Sequence, residues 1–571
     1  MYRRSFLHLL SAGLAGVPLA ARLGGRRLVE TDILVYGGGA GGTCAAIQAA
    51  RMGARVTVIE PTVWLGGMIT SAGVSALDGN KFGFGGGLVH EFRQKLLAHY
   101  GSDEALFSGW VSLTCYEPHI GQRFLRELVD PVDGLTVQYQ TEVVGYERES
   151  ETRRLVTTIG PNGETTVYRC AVFIDGTEYG DGLKLAGARY RLGRESQDET
   201  GEASAPEQPD MEMQDLTYVA TLARKPGTPP PPAATVIEQE YRQSFACSTR
   251  ALCPNPDEVL LNHTVHDWES FITYGMLPND KVMLNWPHHS NDYPINEAVF
   301  EDRYYRRRHI RSAKLHTMQY VRYMQQELGH PEWVLATDEY PTVDHLPLIP
   351  YMRESRRLDN GQMMTTADVV AQNGNPRAPI QPNAIAIGDY FLDHHHSKHH
   401  LPPAERLHED YPDSAPFQIP ISVFLPNSDD ACLLAGEKNI AITHIVNGCT
   451  RLQPTVMLQG QAIGALAALA VARNQAPADV EVRDVQHALI DAGAPIYGVY
   501  DIGPDHDAFA AVQHLALAGV LDATDPTELK PDEPAPEEWS AKWASKATID
   551  SPAGLTTGEL LVRLAQKVAE R

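Results

Sequence analysis

The clearest hydrophobic pattern in the chain is a short apolar run that ends in a cluster of glycines. Ile33–Tyr36 predicts a strand of the buried parallel kind. The alanine-rich residues 43–52 then predict a thin helix capped by Gly53, and residues 55–60 predict a second strand. Strand, helix and strand in this order predict a βαβ unit.

Two later segments have related patterns. Residues 170–181 predict an apolar strand that turns into Asp175-Gly176-Thr177. Residues 432–435 predict another strand, which leads to Gly436-Glu437. A Gly/Ala-rich helix follows Gln453-Pro454-Thr455, and its small residues allow close packing.

The remaining pattern is mainly helical. Residues 301–328 predict a strongly charged helix, in which Arg306, Arg307 and Arg308 are interpreted as a solvated face. Apolar residues at helical spacing predict a helix at 507–521, and Thr556 and Thr557 open a last amphipathic helix. Residues 530–538 are interpreted as a polar linker.

The glycines between the first strand and helix predict a dinucleotide site. Gly37 allows a tight turn, Gly39 lets the backbone approach a pyrophosphate, and Gly42 lets helix and strand pack closely. The pyrophosphate then meets the helix N-terminus, which carries about half a unit of positive charge. Glu60 ends the second strand, where it can accept hydrogen bonds from ribose hydroxyls.

Residues after Glu60 indicate which dinucleotide is bound. Pro61 is followed by Gly66-Gly67-Met68. A glycine pair a few residues beyond the ribose acid is typical of FAD proteins of the glutathione-reductase type. The segments at 170–181 and 427–470, with residues 353–357 ahead of 383–389, extend this similarity.

Together these motifs resemble the FAD-dependent oxidoreductase family, whose members are often labelled xanthan lyase or grouped by remote similarity with heterodisulfide reductases. The resemblance covers about residues 30–520 and implies FAD as cofactor. The cofactor-binding residues that it implies are Gly37, Gly39, Ala40, Gly41, Gly42, Glu60, Pro61, Gly66, Gly67, Met68, Asp175, Gly176, Thr177, Gly436, Gln453, Pro454, Gln459 and Gly460.

One position departs from the family pattern. Glu437-Lys438 stands where members have a Gly-Arg pair, although His444, Arg451 and the Gln453-Pro454 pair are retained. Any role of the missing arginine is therefore not carried over. The iron–sulfur label of the heterodisulfide reductase name is not supported either, because the chain has no C-x-x-C pair.

The resemblance implies an α/β fold with a discontinuous Rossmann-like FAD-binding domain. Residues 30–185 and 426–475 would form that domain, and 186–425 would be an inserted α+β substrate domain. Residues 476–571 would form a small C-terminal helical region.

Composition limits the possible partners. The 571 residues include 48 Lys and Arg against 72 Asp and Glu, a net charge of −24. Such a surface argues against nucleic-acid binding and against binding to anionic membranes. Of the seven cysteines, Cys247 and Cys253 are closest in sequence, and either a disulfide or two buried free thiols fit their spacing.

The N-terminus predicts export. Residues 1–21 combine a charged start, a short apolar stretch and small residues, as in a cleaved signal peptide. Arg3-Arg4 within the segment 3–7 resembles the twin-arginine signal, whose pathway exports folded proteins. We therefore expect a periplasmic or extracellular protein without stable membrane insertion, or a cytoplasmic one if this segment is not a signal.

Three groups of residues compete for the chemistry. His444 with Arg451 lies in the segment that faces the flavin in the family, and a buried structural pair is the alternative. Residues 393–400 hold a histidine cluster that could line the substrate pocket through His396, bind a metal or form a hydrated loop. Residues 285–293 could stack a sugar ring on Trp286 or form an ordinary turn.

The sequence thus predicts an FAD-dependent oxidoreductase acting on a polar small molecule, such as a carbohydrate or related alcohol. His444 and His396 are the candidate bases and Arg451 a charged partner, with no metal expected. An electron acceptor of unknown identity is implied. A polysaccharide lyase and a non-catalytic flavin-binding protein are the alternatives.

Overall fold

The structure is a computed structural model. It describes residues 27–78, 85–231, 242, 245–253, 265–285, 289–396, 411–426, 430–549 and 554–570. The predicted signal peptide lies outside the described residues, as do residues 286–288 and 397–400 of the two candidate loops.

The strands, in chain order, are β1 Arg27–Glu30, β2 Ile33–Tyr36, β3 Val56–Glu60, β4 Leu135–Tyr139, β5 Glu142–Arg148, β6 Arg154–Ile159, β7 Thr165–Cys170, β8 Val172–Asp175, β9 Tyr190–Arg191, β10 Leu216–Thr217, β11 Ala220–Arg224, β12 Met276–Leu277, β13 Lys281–Leu284, β14 Asp292–Tyr293, β15 Trp333–Leu335, β16 Tyr351–Met352, β17 Arg357–Leu358, β18 Ala384–Gly388, β19 Phe417–Pro420 and β20 Leu433–Ala435.

The α-helices are α1 Ala40–Arg51, α2 Gly87–Tyr100, α3 Asp103–Leu106, α4 Pro118–Val129, α5 Asp181–Ala186, α6 Gln197–Thr200, α7 Trp268–Tyr274, α8 Ala298–Glu301, α9 Arg303–Gln326, α10 Thr366–Val369, α11 His444–Thr450, α12 Gln453–Arg473, α13 Val482–Asp491, α14 Phe509–Leu517, α15 Glu537–Lys546 and α16 Thr557–Ala569.

A parallel five-stranded sheet organises the fold, in the order β20-β8-β2-β3-β4. All four residues of β2 are buried, as expected for a strand covered on both faces. The α/β fold class predicted from the sequence is confirmed. β20 lies beside β8 although about 260 residues separate them along the chain, so the segment after the insertion completes the sheet begun before it.

Helices α1 and α12 pack closely on this sheet through small residues. A Cβ at Gly460 would overlap the backbone of Gly41, and one at Gly464 would overlap the backbone of Ala45. By length and composition, α12 is also the one helix of the described residues that could cross a membrane. However, 83% of its apolar window is buried inside the fold, as in a core helix.

A second hydrophobic core belongs to the inserted region. Its sheets have the orders β12-β13-β11-β15 and β14-β10-β16, and α9 packs against this core through Ala313, Tyr320 and Met324. Asp302 caps α9 by accepting hydrogen bonds from Tyr304 N and Tyr305 N. The interpretation of Arg306 as solvated is wrong, because its guanidinium is buried against Asp181.

The C-terminal region packs around its own core, centred on Trp543 of α15. Arg377 ties this region to the rest of the chain, since it donates to the carbonyl oxygens of Gly498 and Pro526. The predicted linker at 530–538 is too long, because α15 begins at Glu537. The indole rings of Trp539 and Trp543 pack against each other in that core. This packing stabilises the first turn of α15, so the helix includes the last two residues of the predicted linker.

Cys247 and Cys253 form a disulfide, which decides between the two alternatives left open by their spacing. The other five cysteines are free and buried: Cys44, Cys115, Cys170, Cys432 and Cys449.

Candidate cofactor and active site

The glycine-rich turn between β2 and α1 is pressed against the turn after β8. Gly37 has a φ of +90°, and a Cβ there would lie 2.5 Å from the carbonyl oxygen of Gly176. Gly39 is the N-cap of α1, followed directly by Ala40, Gly41 and Gly42 in the first turn. The structure therefore brings these predicted residues together at one helix N-terminus, where an anion is favoured.

Glu60 closes the other side of this turn. Its carboxylate accepts hydrogen bonds from Gly38 N at 2.8 Å and Thr62 N at 2.7 Å. Burial raises the pKa of Glu60 to about 7, although these hydrogen bonds oppose the shift. Pro61 and Thr62 follow at the edge of the same cavity.

Asp175 does not line the cavity. Its carboxylate is fully buried and accepts hydrogen bonds from Thr177 N, Thr177 Oγ1 and Leu183 N at 3.0, 2.7 and 2.7 Å. It therefore shapes the turn into α5, whereas Gly176 and Thr177 line the cavity.

A buried ion cluster stands beside the Gly66-Gly67-Met68 loop. Lys438 Nζ contacts Glu178 Oε2 and lies 3.2 Å from Glu437 Oε1. The other oxygens of these carboxylates accept from Met68 N at 3.0 Å and Gly41 N at 2.8 Å. The cluster thus links the Gly66 loop, the start of α1 and the end of β20.

Charge in this cluster is balanced between two acids and one base. Burial opposes ionisation of Lys438, but Glu178 and Glu437 outweigh it and raise the lysine pKa. Burial raises the pKa of Glu437 to about 7, and Lys438 opposes that shift. Lys438 restores a cation at the position where the family has an arginine. The sequence analysis did not identify Glu178 and Glu437 as site residues, although they lie within the segments 170–181 and 427–470 that carry the family resemblance.

These elements enclose a cavity of about 370 Å³, which is within the range of small-molecule sites. Gly37, Gly39, Gly67 and Gly176 line it on one side, and Glu60 lies at its end. Because none of these glycines carries a side chain, backbone N–H groups can approach a diphosphate, and Glu60 is placed for a ribose. The residues present therefore fit the adenosine and diphosphate end of FAD.

None of the cofactor residues predicted on α12 lines the cavity. Gln453 Oε1 accepts a hydrogen bond from Asp78 N at 3.1 Å, and Pro454 occupies the same helical turn. Gln459 Nε2 donates to Thr450 O at 3.1 Å, and Gly460 packs on α1. Gln459 and Gly460 therefore hold the helices in position, as does Gly436, whose N–H donates to Asp175 O.

His444 and His396 are brought together although 48 residues separate them. Their Nε2 atoms lie 3.3 Å apart, and His444 Nδ1 lies 3.0 Å from Glu354 Oε2. Burial, then the nearby His396 and Arg357, hold the pKa of His444 well below its usual range. His444 is thus a neutral imidazole at pH 7. His394 packs beside it and donates from Nε2 to the His444 carbonyl oxygen at 2.9 Å.

Arg451 belongs to a second polar network, which is built around Asp393 and His395. Its guanidinium donates to Tyr351 OH at 2.6 Å and to Asp393 Oδ2 at 2.7 Å. His395 bridges Asp393 and Asp292, at 2.9 and 2.8 Å. Burial disfavours a charged Asp393, but His395 and Arg451 outweigh it and lower the pKa of that carboxyl.

Asp78 joins this network and was missed from the sequence. Tyr390 OH donates to Asp78 Oδ2 at 3.3 Å, and Arg451 lies near enough to lower the Asp78 pKa. Burial and Asp393 outweigh Arg451 and raise the pKa of Asp78 to about 7. A carboxyl group with such a pKa can accept or release a proton at neutral pH.

Other candidates have structural partners. In the 285–293 segment, Asn291 Nδ2 donates to the carbonyl oxygens of Leu284 and Tyr218, which lie outside that segment. Among the described residues, one group has metal-ligand spacing, formed by Glu117, His119 and Glu339. Lys281 contacts both of its carboxylates, so an ammonium group already occupies the place beside them that a metal cation would take.

The family model described as FAD dependent oxidoreductase matches residues 32–489. No curated protein matches the chain.

Several solved structures align with part of this chain. L-proline dehydrogenase from P.horikoshii aligns at 16% identity over 26% of this chain and 23% of that chain, with a TM-score of 0.17. The p-nitrophenol 4-monooxygenase PnpA from Pseudomonas putida DLL-E4 aligns at 14% identity over 35% and 48%, with a TM-score of 0.22. A flavoprotein/dehydrogenase from Cytophaga hutchinsonii aligns at 18% identity over 35% and 48%, with a TM-score of 0.24. The chain spans less than half the length of each of these structures.

Proposed function

Because this chain belongs to the FAD dependent oxidoreductase family, we propose that it is an exported enzyme that oxidises a polar small molecule, a carbohydrate or related alcohol. FAD held in the cavity would supply the redox chemistry, which is the uptake of a hydride from a substrate C–H bond. The residues of the chain bind and orient both molecules and take up the proton that the substrate hydroxyl releases.

The cavity at the N-terminus of α1 carries the cofactor part of the proposal. The glycine turn at Gly37 and Gly39, which lines the cavity at the start of α1, would hold the diphosphate, and Glu60 would hold the adenosine ribose. The Gly66-Gly67-Met68 loop, fixed by Glu178, would lie along the middle of the cofactor. Lys438 would keep the two neighbouring acids from repelling it.

The His396–His444 pair carries the proton-transfer part. An imidazole has to be neutral before it can act as a general base, and the lowered pKa of His444 keeps its ring neutral at pH 7. Glu354 at Nδ1 would stabilise the charge that the imidazole gains, and His396 at Nε2 would pass the proton on. His396 would thus contact the substrate, with His444 behind it.

Arg451 and its network support a hydroxylated substrate rather than an apolar one. Tyr351 and Asp393 hold the guanidinium in one orientation through directed hydrogen bonds, and His395 in turn contacts Asp393. Asp78 and Tyr390 add further polar groups within the same network. Carboxylate, phenol and imidazole groups of this kind bind several hydroxyls of one small molecule.

The export part of the proposal rests on the N-terminal segment 1–21, with its Arg3-Arg4 pair. The disulfide between Cys247 and Cys253 supports it, since such bonds persist mainly outside the cytoplasm. If this segment acts as a twin-arginine signal, it would direct the protein to the periplasm in a folded state with FAD already inserted.

An anaerobic substrate screen tests this proposal. Purified protein is mixed with a panel of sugars, sugar alcohols and hydroxy acids, and bleaching of the flavin absorbance is followed. We expect yellow protein and rapid bleaching by at least one hydroxylated compound. Protein that contains no flavin and takes up none would overturn the cofactor assignment. Bleaching only by apolar or amine substrates would overturn the substrate class.

The histidine pair is tested with the same substrate. His444→Asn should slow flavin reduction at least about a hundredfold, in the range of general-base catalysis, with FAD content unchanged. His487→Asn, on the exposed side of α13, is the matched control and should reduce at the wild-type rate. Equal rates in His444→Asn and wild type would remove the pair from the reaction. Activity that survives in Gly39→Asp without FAD would favour a lyase instead.

A further inference from the structure

The wall of the cofactor cavity opposite α1 belongs to the inserted region. Arg303, Arg306 and Arg307, in the first two turns of α9, line the cavity together with the glycines and Glu60. The start of α9 thus lines the same cavity as the glycines of the expected diphosphate site, although the charge pattern of the sequence indicates a solvated face for its arginines.

Two buried arginines hold α9 in this place. Arg306 donates to both oxygens of Asp181 at 2.6 and 2.8 Å, and its guanidinium carbon lies 3.9 Å from the centroid of the Tyr179 ring. Arg356 donates to Asp181 Oδ1 at 2.7 Å. Both arginines lower the pKa of Asp181 although burial opposes this. Because Asp181 follows closely after the Gly176 turn, the start of α9 is fixed to the phosphate side of the site.

The charges that line the cavity leave one arginine without an acid. Arg306 is paired with Asp181, and Arg303 lies 3.7 Å from Glu142. Glu178 is paired with Lys438, and Glu60 is bound by backbone N–H groups. Arg307 lines the same cavity but has no ion pair or hydrogen bond within the part of the chain that the structure describes.

We propose that Arg307 binds a phosphate group of the FAD diphosphate, so that the inserted region completes the cofactor site. This inference rests on the proposed function, since it needs FAD in the cavity. Arginine suits the role because its planar guanidinium matches phosphate oxygens. The two phosphates bring negative charge next to Glu60, Glu178 and Glu437, and α9 supplies the opposing cation.

The contact should be measurable as cofactor affinity. Arg307 is exposed at the cavity mouth, so its loss should not disturb the core. A charge-assisted hydrogen bond to phosphate corresponds to about a tenfold or larger change in Kd. Salt screens such a contact, so affinity should also become less dependent on ionic strength when the arginine is removed.

The experiment compares the full-length holoenzymes of wild type, Arg307→Ala and Arg308→Ala. Arg308 is the matched control, because it is exposed on the next position of α9 but does not line the cavity. FAD release on dilution is followed by the rise of flavin fluorescence, at several NaCl concentrations, and gives Kd for each protein. Thermal unfolding of each holoenzyme checks the fold.

We expect FAD to bind Arg307→Ala at least about tenfold more weakly, with a shallower salt dependence, while Arg308→Ala stays within about twofold of wild type. Equal Kd values for Arg307→Ala and wild type would overturn the contact, as would equal weakening by both variants. Wild-type protein that binds no FAD would contradict the proposed function itself, so the two failures are distinguishable.

Discussion

Glu60 and Glu437 lie buried on two sides of the glycine turn, and burial raises the pKa of each to about 7. Glu60 accepts two backbone hydrogen bonds, which hold its carboxylate in place for a ribose. Glu437 accepts from the first turn of α1 and is also paired with Lys438. At the residue scale, the cofactor site is therefore held together by acids whose ionisation near neutral pH is unfavourable.

This arrangement predicts how stability depends on pH. The Glu60 pKa rises from 4.5 in the unfolded chain to about 7 in the folded one. Between these values the folded protein retains a proton that the unfolded chain releases. The contribution of Glu60 to the free energy of unfolding is therefore complete below pH 4.5 and is lost as the pH rises through 7. The total loss is about 3 kcal/mol.

Urea unfolding at pH 5 and pH 7.5, on protein stripped of FAD, measures this term. Glu60→Gln should lose about 2 kcal/mol less than wild type over that range, because glutamine does not titrate. Glu147→Gln, on the exposed side of β5, should keep the wild-type dependence. The same pH dependence in Glu60→Gln and wild type would contradict the assignment.

At the element scale, the contact between α1 and α12 places the cofactor turn. The two helices approach through Gly41 with Gly460 and through Ala45 with Gly464. This approach brings the first turn of α12, with Gln453, close to the glycine turn and to Asp78. The small residues of both helices were read correctly from the sequence as close-packing positions, but the partner of each one was not.

A substitution at Gly460 tests this packing. Glycine to alanine inside an exposed helix normally increases stability by roughly 0.5–1 kcal/mol. Gly460→Ala should do the opposite and cost about 1–3 kcal/mol, because its Cβ overlaps the backbone of Gly41. The free energy of unfolding in urea and the FAD content of the purified protein are the two measurements, and both values should fall.

The reverse change at Ala472, an exposed residue near the end of the same helix, is the control. Ala472→Gly should cost roughly 1 kcal/mol through helix propensity and leave the FAD content unchanged. If Gly460→Ala were as stable as wild type, the two helices would not pack as described.

At the scale of the whole molecule, three hydrophobic cores divide the chain. The first surrounds the parallel sheet, the second belongs to the inserted region, and the third to the C-terminal helices. The chain is acidic overall, with a net charge of −24, yet the start of α9 brings arginines to the cofactor cavity. Local charge thus differs from the average at the place where an anionic cofactor has to bind.

The disulfide gives a prediction at this scale. Cys247 and Cys253 are 6 residues apart, and closing so short a loop contributes roughly 2 kcal/mol in the chain-entropy view. A reductant should therefore lower the melting temperature of wild type but not of a Cys247→Ser/Cys253→Ser variant. Alkylation of unreduced, denatured protein should modify five of the seven cysteines by mass spectrometry. Seven modified cysteines would contradict the bond.

Local features could be read from the sequence because they depend on near neighbours. The bounds of β2 are those predicted from four apolar residues, and Gly53 follows α1 with a φ of +93°, as a helix-ending glycine should. Helix α1 begins at Ala40 rather than at Thr43, because the glycines of the turn already form its first residues. The Arg306 error has the same origin, since the burial of a charged residue depends on a distant partner, here Asp181.

The sequence by itself determined the βαβ unit, because that unit depends on periodicity and on glycines within about 30 residues. The type of cofactor and the fold class were implied by the resemblance of several separate segments to a known family. Only the tertiary structure decided which side chains meet. Glu437 reaches Gly41 across 396 residues of chain, and His444 reaches His396 across 48. The carboxyl ends of β2, β8 and β20 come together only when the sheet forms. Contacts of this kind follow from the path of the whole chain, and no local pattern encodes them.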